Sequence, residues 1–256
     1  MRVDLSTEPG DPQRLNEDYV SVALPASGQG GALVLLDGVT PPDGGTGCVH
    51  GVPWFTARLG GAMLELSGSR RDMTLARCLA ESVRRTAEAH QATCDLSHLL
   101  TPQSTVVAAR WDAERVEHLV LSDSALLIEG TDGQVTAVLD DRIDRLRAAG
   151  RRVAPLRNTE GGFFTAAADP DVARRAVTGT TPRADVRALA ALTDGASRWV
   201  EIFHEGDWTD CFAVLRKDGT RSLLDRVRAA EAADPDGTAF RRGKPRDDKA
   251  AVFVEL

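Results

Sequence analysis

The stretch Leu33-Val34-Leu35-Leu36-Asp37-Gly38 constrains this chain more than any other. An apolar run of this length reads as a strand buried on both faces. An ionised carboxylate at its end cannot stay buried without a partner, and the glycine after it permits a sharp turn and close backbone approach. A lone Asp-Gly is an ordinary turn signal, but here the pattern recurs. Asp123 follows the apolar run ending at Leu121, Asp194 follows the run Val186 to Leu192 through Thr193, and Asp248 stands just before the last run, Ala250 to Leu256. Glu17 and Asp18 precede another strand-like segment, Tyr19 to Leu24. Carboxylates gathered at one end of a β-core repel one another unless a cation lies between them. All-oxygen ligation selects magnesium, manganese or calcium rather than zinc, and two such ions close together activate a bridging water for attack on phosphorus.

Strand and helix signals alternate along the whole chain. Tyr19 to Leu24 and Ala32 to Leu36 are expected to pair as a hairpin. Thr40 to Val52 is a Pro/Gly-rich loop directly after Asp37-Gly38. Pro53 to Leu66 and Thr74 to Ala92 have helical spacing, with Leu75, Leu79, Val83 and Ala87 on one stripe, and are expected to be antiparallel neighbours. Ser104 to Trp111, Val116 to Leu121 and Ala125 to Glu129 read as an antiparallel meander, closed by the hairpin signal Thr131-Asp132-Gly133. Asp141 to Ala149 is amphipathic, and a helix is expected from Asp171. Helical stretches follow near Ser197 to His204, Trp208 to Arg216 and Ser222 to Ala232, whereas residues 1–16 are polar and turn-rich. Strands at both ends with helix pairs between them predict an α+β fold of two packed sheets with helices outside, as one domain over residues 1–256.

The charge balance excludes some functions. A formal net charge of −7 opposes a broad nucleic-acid surface, which needs clustered positive charge, and the apolar runs are far shorter than a membrane span. Met1 to Ser6 lacks a signal-peptide core. The four cysteines (Cys48, Cys78, Cys94, Cys211) are scattered without a CxxC pair and are read as free thiols of a cytoplasmic protein.

In order, Asn16-Glu17-Asp18, Leu36-Asp37-Gly38, Ser104-Thr105, Ser122-Asp123-Ser124, Thr193-Asp194-Gly195 and Asp247-Asp248 resemble the type 2C, PPM-type metal-dependent serine/threonine protein phosphatases, with this chain a divergent bacterial member. The resemblance runs from about Leu15 to Leu256. It implies a four-layer α-β-β-α sandwich, two antiparallel sheets flanked by helix pairs, with two manganese or magnesium ions at one end and a third, looser ion in bacterial members. Carried over by position, Asp37 bridges the two ions and the Gly38 carbonyl binds one. Asp194 and Asp248 hold the other ion, Glu17 acts through water, and Asp123 serves the third site. Attack by metal-activated water on a phosphorylated protein or a small phosphorylated metabolite is the implied reaction; the alternative is a catalytically weak or inactive binding or regulatory module on the same fold. Departures concentrate at the substrate side. The position four before Glu17 is Gln13, with Arg14 one residue late; Ala125 stands where an arginine is usual, Lys249 follows Asp248 where asparagine is usual, and Asp37-Gly38 runs into Val39-Thr40-Pro41-Pro42. The metal site is therefore expected to be better kept than the substrate site, with Arg14 the candidate phosphate ligand.

Three further features stand apart. Gly47-Cys48-Val49-His50-Gly51 reads as a glycine-bracketed surface loop, since no second Cys/His cluster is evident for a soft metal, although His50 could protonate a leaving group. Phe203 to Trp208 lacks the second histidine of HExxH and reads as a helix cap through Asp207. The basic run Arg241 to Arg246 could draw a phosphorylated substrate toward Asp248.

Overall fold

The computed structural model describes residues 1–42 and 44–256. Among the described residues, ten strands form two five-stranded antiparallel sheets. The first contains β1 (Arg2–Glu8), β6 (Ala125–Gly130), β7 (Val135–Val138), β9 (Val186–Leu192) and β10 (Lys249–Glu255), in the order β1-β10-β9-β6-β7. The second contains β2 (Tyr19–Ala23), β3 (Gly31–Leu36), β4 (Val106–Trp111), β5 (Arg115–Leu121) and β8 (Val177–Pro182), in the order β2-β3-β4-β5-β8.

Three apolar layers hold these sheets and their helices together. Between the sheets, Leu33, Leu35, Val107 and Val120 of one pack on Leu126, Leu189, Ala191 and Val252 of the other. The opposite face of the β3 sheet carries Val34, Leu36, Ala108 and Leu119, covered by α1 (Val52–Ser69) and α2 (Leu75–His90) through Phe55, Leu59, Met63, Leu79 and Val83. The other sheet's outer face is covered by α4 (Asp194–Glu201), α5 (Trp208–Asp218) and α6 (Thr220–Ala233) through Trp199, Phe212, Leu215, Leu224 and Val227. The short α3 (Arg142–Ala148) leads into the connection back to β8. This is the expected α-β-β-α sandwich, and it explains why β3 and the Ala188 to Leu192 part of β9 are continuously apolar: each is covered on both faces. The β2–β3 hairpin and the α1–α2 pair also form as expected. Asp207 caps α5, accepting from Thr209 N and Asp210 N.

Three local expectations are corrected. Residues 2–8 form strand β1, paired with β10 from Arg2↔Glu255 to Glu8↔Lys249; an edge strand with polar residues to solvent carries little apolar signal. The helix expected from Asp171 is a single 3₁₀ stretch, Pro170–Arg175, and the chain then forms edge strand β8. The expected meander breaks after β5: β4 and β5 stay beside β3, while β6 crosses to the other sheet and pairs with β9. Apolar strands buried on both faces do not reveal which sheet they join. The crossing occurs at Ser122-Asp123-Ser124, with Ser122 at φ 72°, and so leaves Asp123 at the end of the sandwich. Among the described residues no helix is long and apolar enough to cross a membrane.

Candidate metal centre

The ends of β3, β5 and β9 and the start of β10 meet at one end of the sandwich. Asp37 is fixed there by its own backbone: its N–H donates to Thr105 Oγ1 (3.0 Å), its carbonyl accepts from Thr105 N (2.9 Å), and Thr105 is held by Ser124 Oγ at 2.6 Å. Thr105 and Ser124 thus position the strand end, whereas Asp123 lines the cleft itself. Gly38 packs on Glu17: a Cβ at this position would stand 2.5 Å from the Glu17 carbonyl oxygen and from Val52 Cγ1. Asp194 opens the first turn of α4. Thr193, just before it, is clamped between Ala250 N and the Asp18 carboxylate, each at 2.8 Å.

A cleft of about 350 Å³ opens onto these groups, lined by Asp37, Asp123, Asp194 and Asp247 together with Arg147, Arg157, Arg198 and Lys244. Asp37 and Asp194 are buried neighbours whose charges oppose one another, an arrangement two ionised carboxylates cannot hold without a proton or a cation between them. Burial, with Asp194 and Asp18 as neighbours, pushes Asp37 well above the usual carboxylate range. Burial, then the charges of Asp247 and Asp123, raises Asp194 to about 6. Asp18 is likewise raised well above its ordinary value by burial and the surrounding acids, and its Oδ1 is buried with no hydrogen-bond partner. Among the described residues no arginine or lysine pairs with Asp18, Asp37 or Asp194. Oxygen-only donors, mutual repulsion and an orphaned buried carboxylate oxygen together fit a hard divalent cation.

The doublet Asp247-Asp248 resolves differently from expectation. Asp248 accepts from Gly10 N and Glu17 N, both at 2.7 Å, which ties the N-terminal loop to β10, and it is not among the groups lining the acidic cleft. Asp247 faces the cleft instead. It is braced by Arg198 Nη2 (2.8 Å) and Lys244 Nζ (2.8 Å), and Arg198 runs on to Glu231 (2.7 Å), which pairs with the fully buried Lys249 at 2.8 Å. Lys249 therefore anchors a buried ionic chain behind the cleft. From sequence, the two aspartates differ by one position at a strand start, and a one-residue step in a strand reverses the face.

Glu17 stands beside the cluster. Thr40 Oγ1 donates to it at 2.5 Å, and burial raises its carboxyl. With Arg14, His50, Lys244, Asp247 and Asp248 it lines a second, wider cavity of about 500 Å³ that shares Thr40, Lys244 and Asp247 with the acidic cleft. His50 lines that cavity, stacked on Trp54 with centroids 4.0 Å apart, and is not among the groups lining the acidic cleft. Of the basic run, Lys244 reaches the site, whereas Arg242 is tied to Asp234 (2.6 Å). Sequence reading missed Arg157: it lies over the Phe163 ring, its Nε is buried and unpartnered, and burial lowers its pKa against the pull of Asp123 and Asp37. It comes from a loop without periodicity or motif, and only the fold brings it to the acids.

A profile of the family described as Protein phosphatase 2C matches residues 12–228. The chain belongs to this family. Solved structures agree in fold at low identity. A bacterial serine phosphatase aligns at TM-score 0.64 with 13% identity, covering 100% of this chain and 98% of the other. Serine/threonine phosphatase Stp1 from Staphylococcus aureus aligns at 0.61 with 14% identity, covering 99% and 94%. The catalytic domain of the serine/threonine phosphatase PstP, solved with two manganese ions, aligns at 0.59 with 17% identity, covering 99% and 97%. No curated protein sequence matches this chain.

Proposed function

We propose that this phosphatase 2C family chain is a manganese- or magnesium-dependent phosphatase that hydrolyses phosphoserine or phosphothreonine in proteins. The observation that carries the reading is the gathering of Asp37, Asp123, Asp194 and Asp247 in one cleft that arginine and lysine side chains also line. Asp37, Asp194 and Asp247 are the proposed carboxylate ligands, with Asp247 taking the part expected of Asp248. The Gly38 carbonyl and, through water, Glu17 complete the two-ion set, and Asp123 is placed for a third, looser ion. When bound, the ions supply Lewis acidity and a water activated for attack on phosphorus.

The remaining work falls to this chain's own side chains. Arg157 and Arg147, facing the acids, are the proposed donors to the non-bridging phosphate oxygens; an arginine fork suits that geometry. Arg14 enters from the neighbouring cavity. The proposed leaving-group donor is Lys244 or a solvent water rather than His50, which lines the wider cavity but not the acidic cleft. That cavity continues from the acidic cleft past Arg14, and the two together form a trough that suits a polypeptide better than a small metabolite.

Hydrolysis of p-nitrophenyl phosphate and of a phosphothreonine peptide, with and without manganese, tests the reading. Turnover that requires manganese and disappears in Asp194→Asn supports it. Activity indifferent to chelator sinks the mechanism, and metal binding without turnover on any phosphomonoester would leave the binding-module alternative.

A further inference from the structure

The loop that leaves Gly38 and the turn that ends α2 bring together a second set of metal-binding side chains, chemically unlike the first. Cys48, His90 and Cys94 each present a donor atom, and the three atoms lie within 4.8 Å of one another. The surface-loop reading of Cys48 rested on the lack of a second Cys/His cluster. The fold supplies one from His90-Gln91-Ala92-Thr93-Cys94, 46 residues from Cys48 to Cys94.

The surroundings are built. His90 is buried at the last turn of α2, and its Nδ1 donates to the Thr86 carbonyl at 2.7 Å. That bond fixes the tautomer and leaves Nε2 with its lone pair free, the usual arrangement of a metal-ligating histidine. Cys94 is held one turn further on, its N–H donating to the His90 carbonyl at 3.0 Å. His50 N–H points at Cys48 Sγ at 3.4 Å, a contact that stabilises a thiolate. The Asp95 N–H donates to the Gly47 carbonyl at 2.6 Å and so pins the two segments together independently of the sulfurs. Trp54, edge-on to His90 at 5.1 Å, walls one side.

The structure records Cys48 and Cys94 as a disulfide, which corrects the expectation of four free thiols; Cys78 and Cys211 remain free and buried. We propose that the reduced chain holds a zinc ion through Cys48, His90 and Cys94, with water in the fourth position, and that the disulfide is the metal-free oxidised state of the same site. Two soft sulfurs and one imidazole select zinc over manganese or magnesium, which belong with the carboxylates across the loop. The interconversion balances simply. A dithiol reductant passes two electrons and two protons to the disulfide and becomes a disulfide itself, giving two cysteine thiols. Zinc then displaces those two protons. Either state joins the end of α2 to the loop before α1, but only the reduced one carries metal.

Cobalt(II) titration of the full-length protein, reduced with dithiothreitol and desalted without oxygen, tests the proposal. A near-ultraviolet thiolate-to-cobalt charge-transfer band is expected, saturating at about one ion per chain. Zinc should bleach it, and excess manganese should not. Carboxylate-bound cobalt cannot give that band, so the readout is independent of phosphatase activity. Cys48→Ser and His90→Gln should each abolish or greatly weaken the band, with circular dichroism showing that both variants are folded. Absence of the band in reduced wild type, its full retention in Cys48→Ser, or a disulfide that resists reduction in the folded protein would each overturn the proposal.

Discussion

Asp247 and Asp248 are neighbours with opposite duties, and substitution separates them. On the proposed ligand set, Asp247→Asn should weaken manganese binding at least about 10-fold, since it removes a carboxylate charge from the cleft; calorimetric titration measures it. Asp248→Asn should instead lower stability by about 1–3 kcal/mol, because one of the two backbone N–H donors it satisfies would face an amide nitrogen, and urea unfolding reports it. Arg157→Ala should raise KM for a phosphopeptide about 10-fold or more while leaving manganese affinity unchanged. The acids were legible in the sequence because a carboxylate after a buried strand is conspicuous. Their facing was not: the doublet straddles a strand start, where one step in register decides which side chain enters the cleft. Arg157 was not legible at all, because nothing in Arg-Asn-Thr-Glu-Gly-Gly marks a position beside Asp37 until the loop folds back on Phe163.

At the level of elements, the interior strands and the long helices could be read because both faces, or one clear stripe, are apolar. Edge strands β1 and β8 could not, since half of each is solvated, and the sheet to which β6 belongs depends on non-local pairing alone. The strand-to-loop junction at Gly38 is a tight point of the architecture. Gly38→Ala forces a methyl against the Glu17 carbonyl and Val52 and should cost about 1–3 kcal/mol, lowering the melting temperature and shifting Glu17 with it. The cap of α5 offers the contrast. Asp207→Ala removes the carboxylate oxygen that accepts from two N–H groups remote from the cleft and should cost about 1 kcal/mol with turnover preserved, as parallel melting and p-nitrophenyl phosphate assays would show.

For the whole molecule, the packed acids make stability depend on pH and metal together. Asp194 is raised from 3.8 to about 6, so the metal-free folded chain holds this proton more tightly than the unfolded one. That contribution is fully present below pH of about 4 and is lost as pH rises through about 6. Chelated protein should therefore melt at a lower temperature at pH of about 8 than at about 5.5, and the gain on adding manganese should be larger at the higher pH; thermal scans at the two pH values check both signs. The hydrogen bonds from Gly10 and Glu17 to Asp248 span 238 and 231 residues of sequence. During synthesis, strand β3 and Asp37 emerge long before the residues that close their cleft. A nascent chain shorter than 247 residues carries the repelling acids of residues 17–194 without Asp247 or the strand that positions it, and so has no complete cradle in which to hold the ions. On the proposed ligand set, metal capture thus becomes a late event of folding, and a chain cut off before β10 would lack charge-compensating ions as well as a strand.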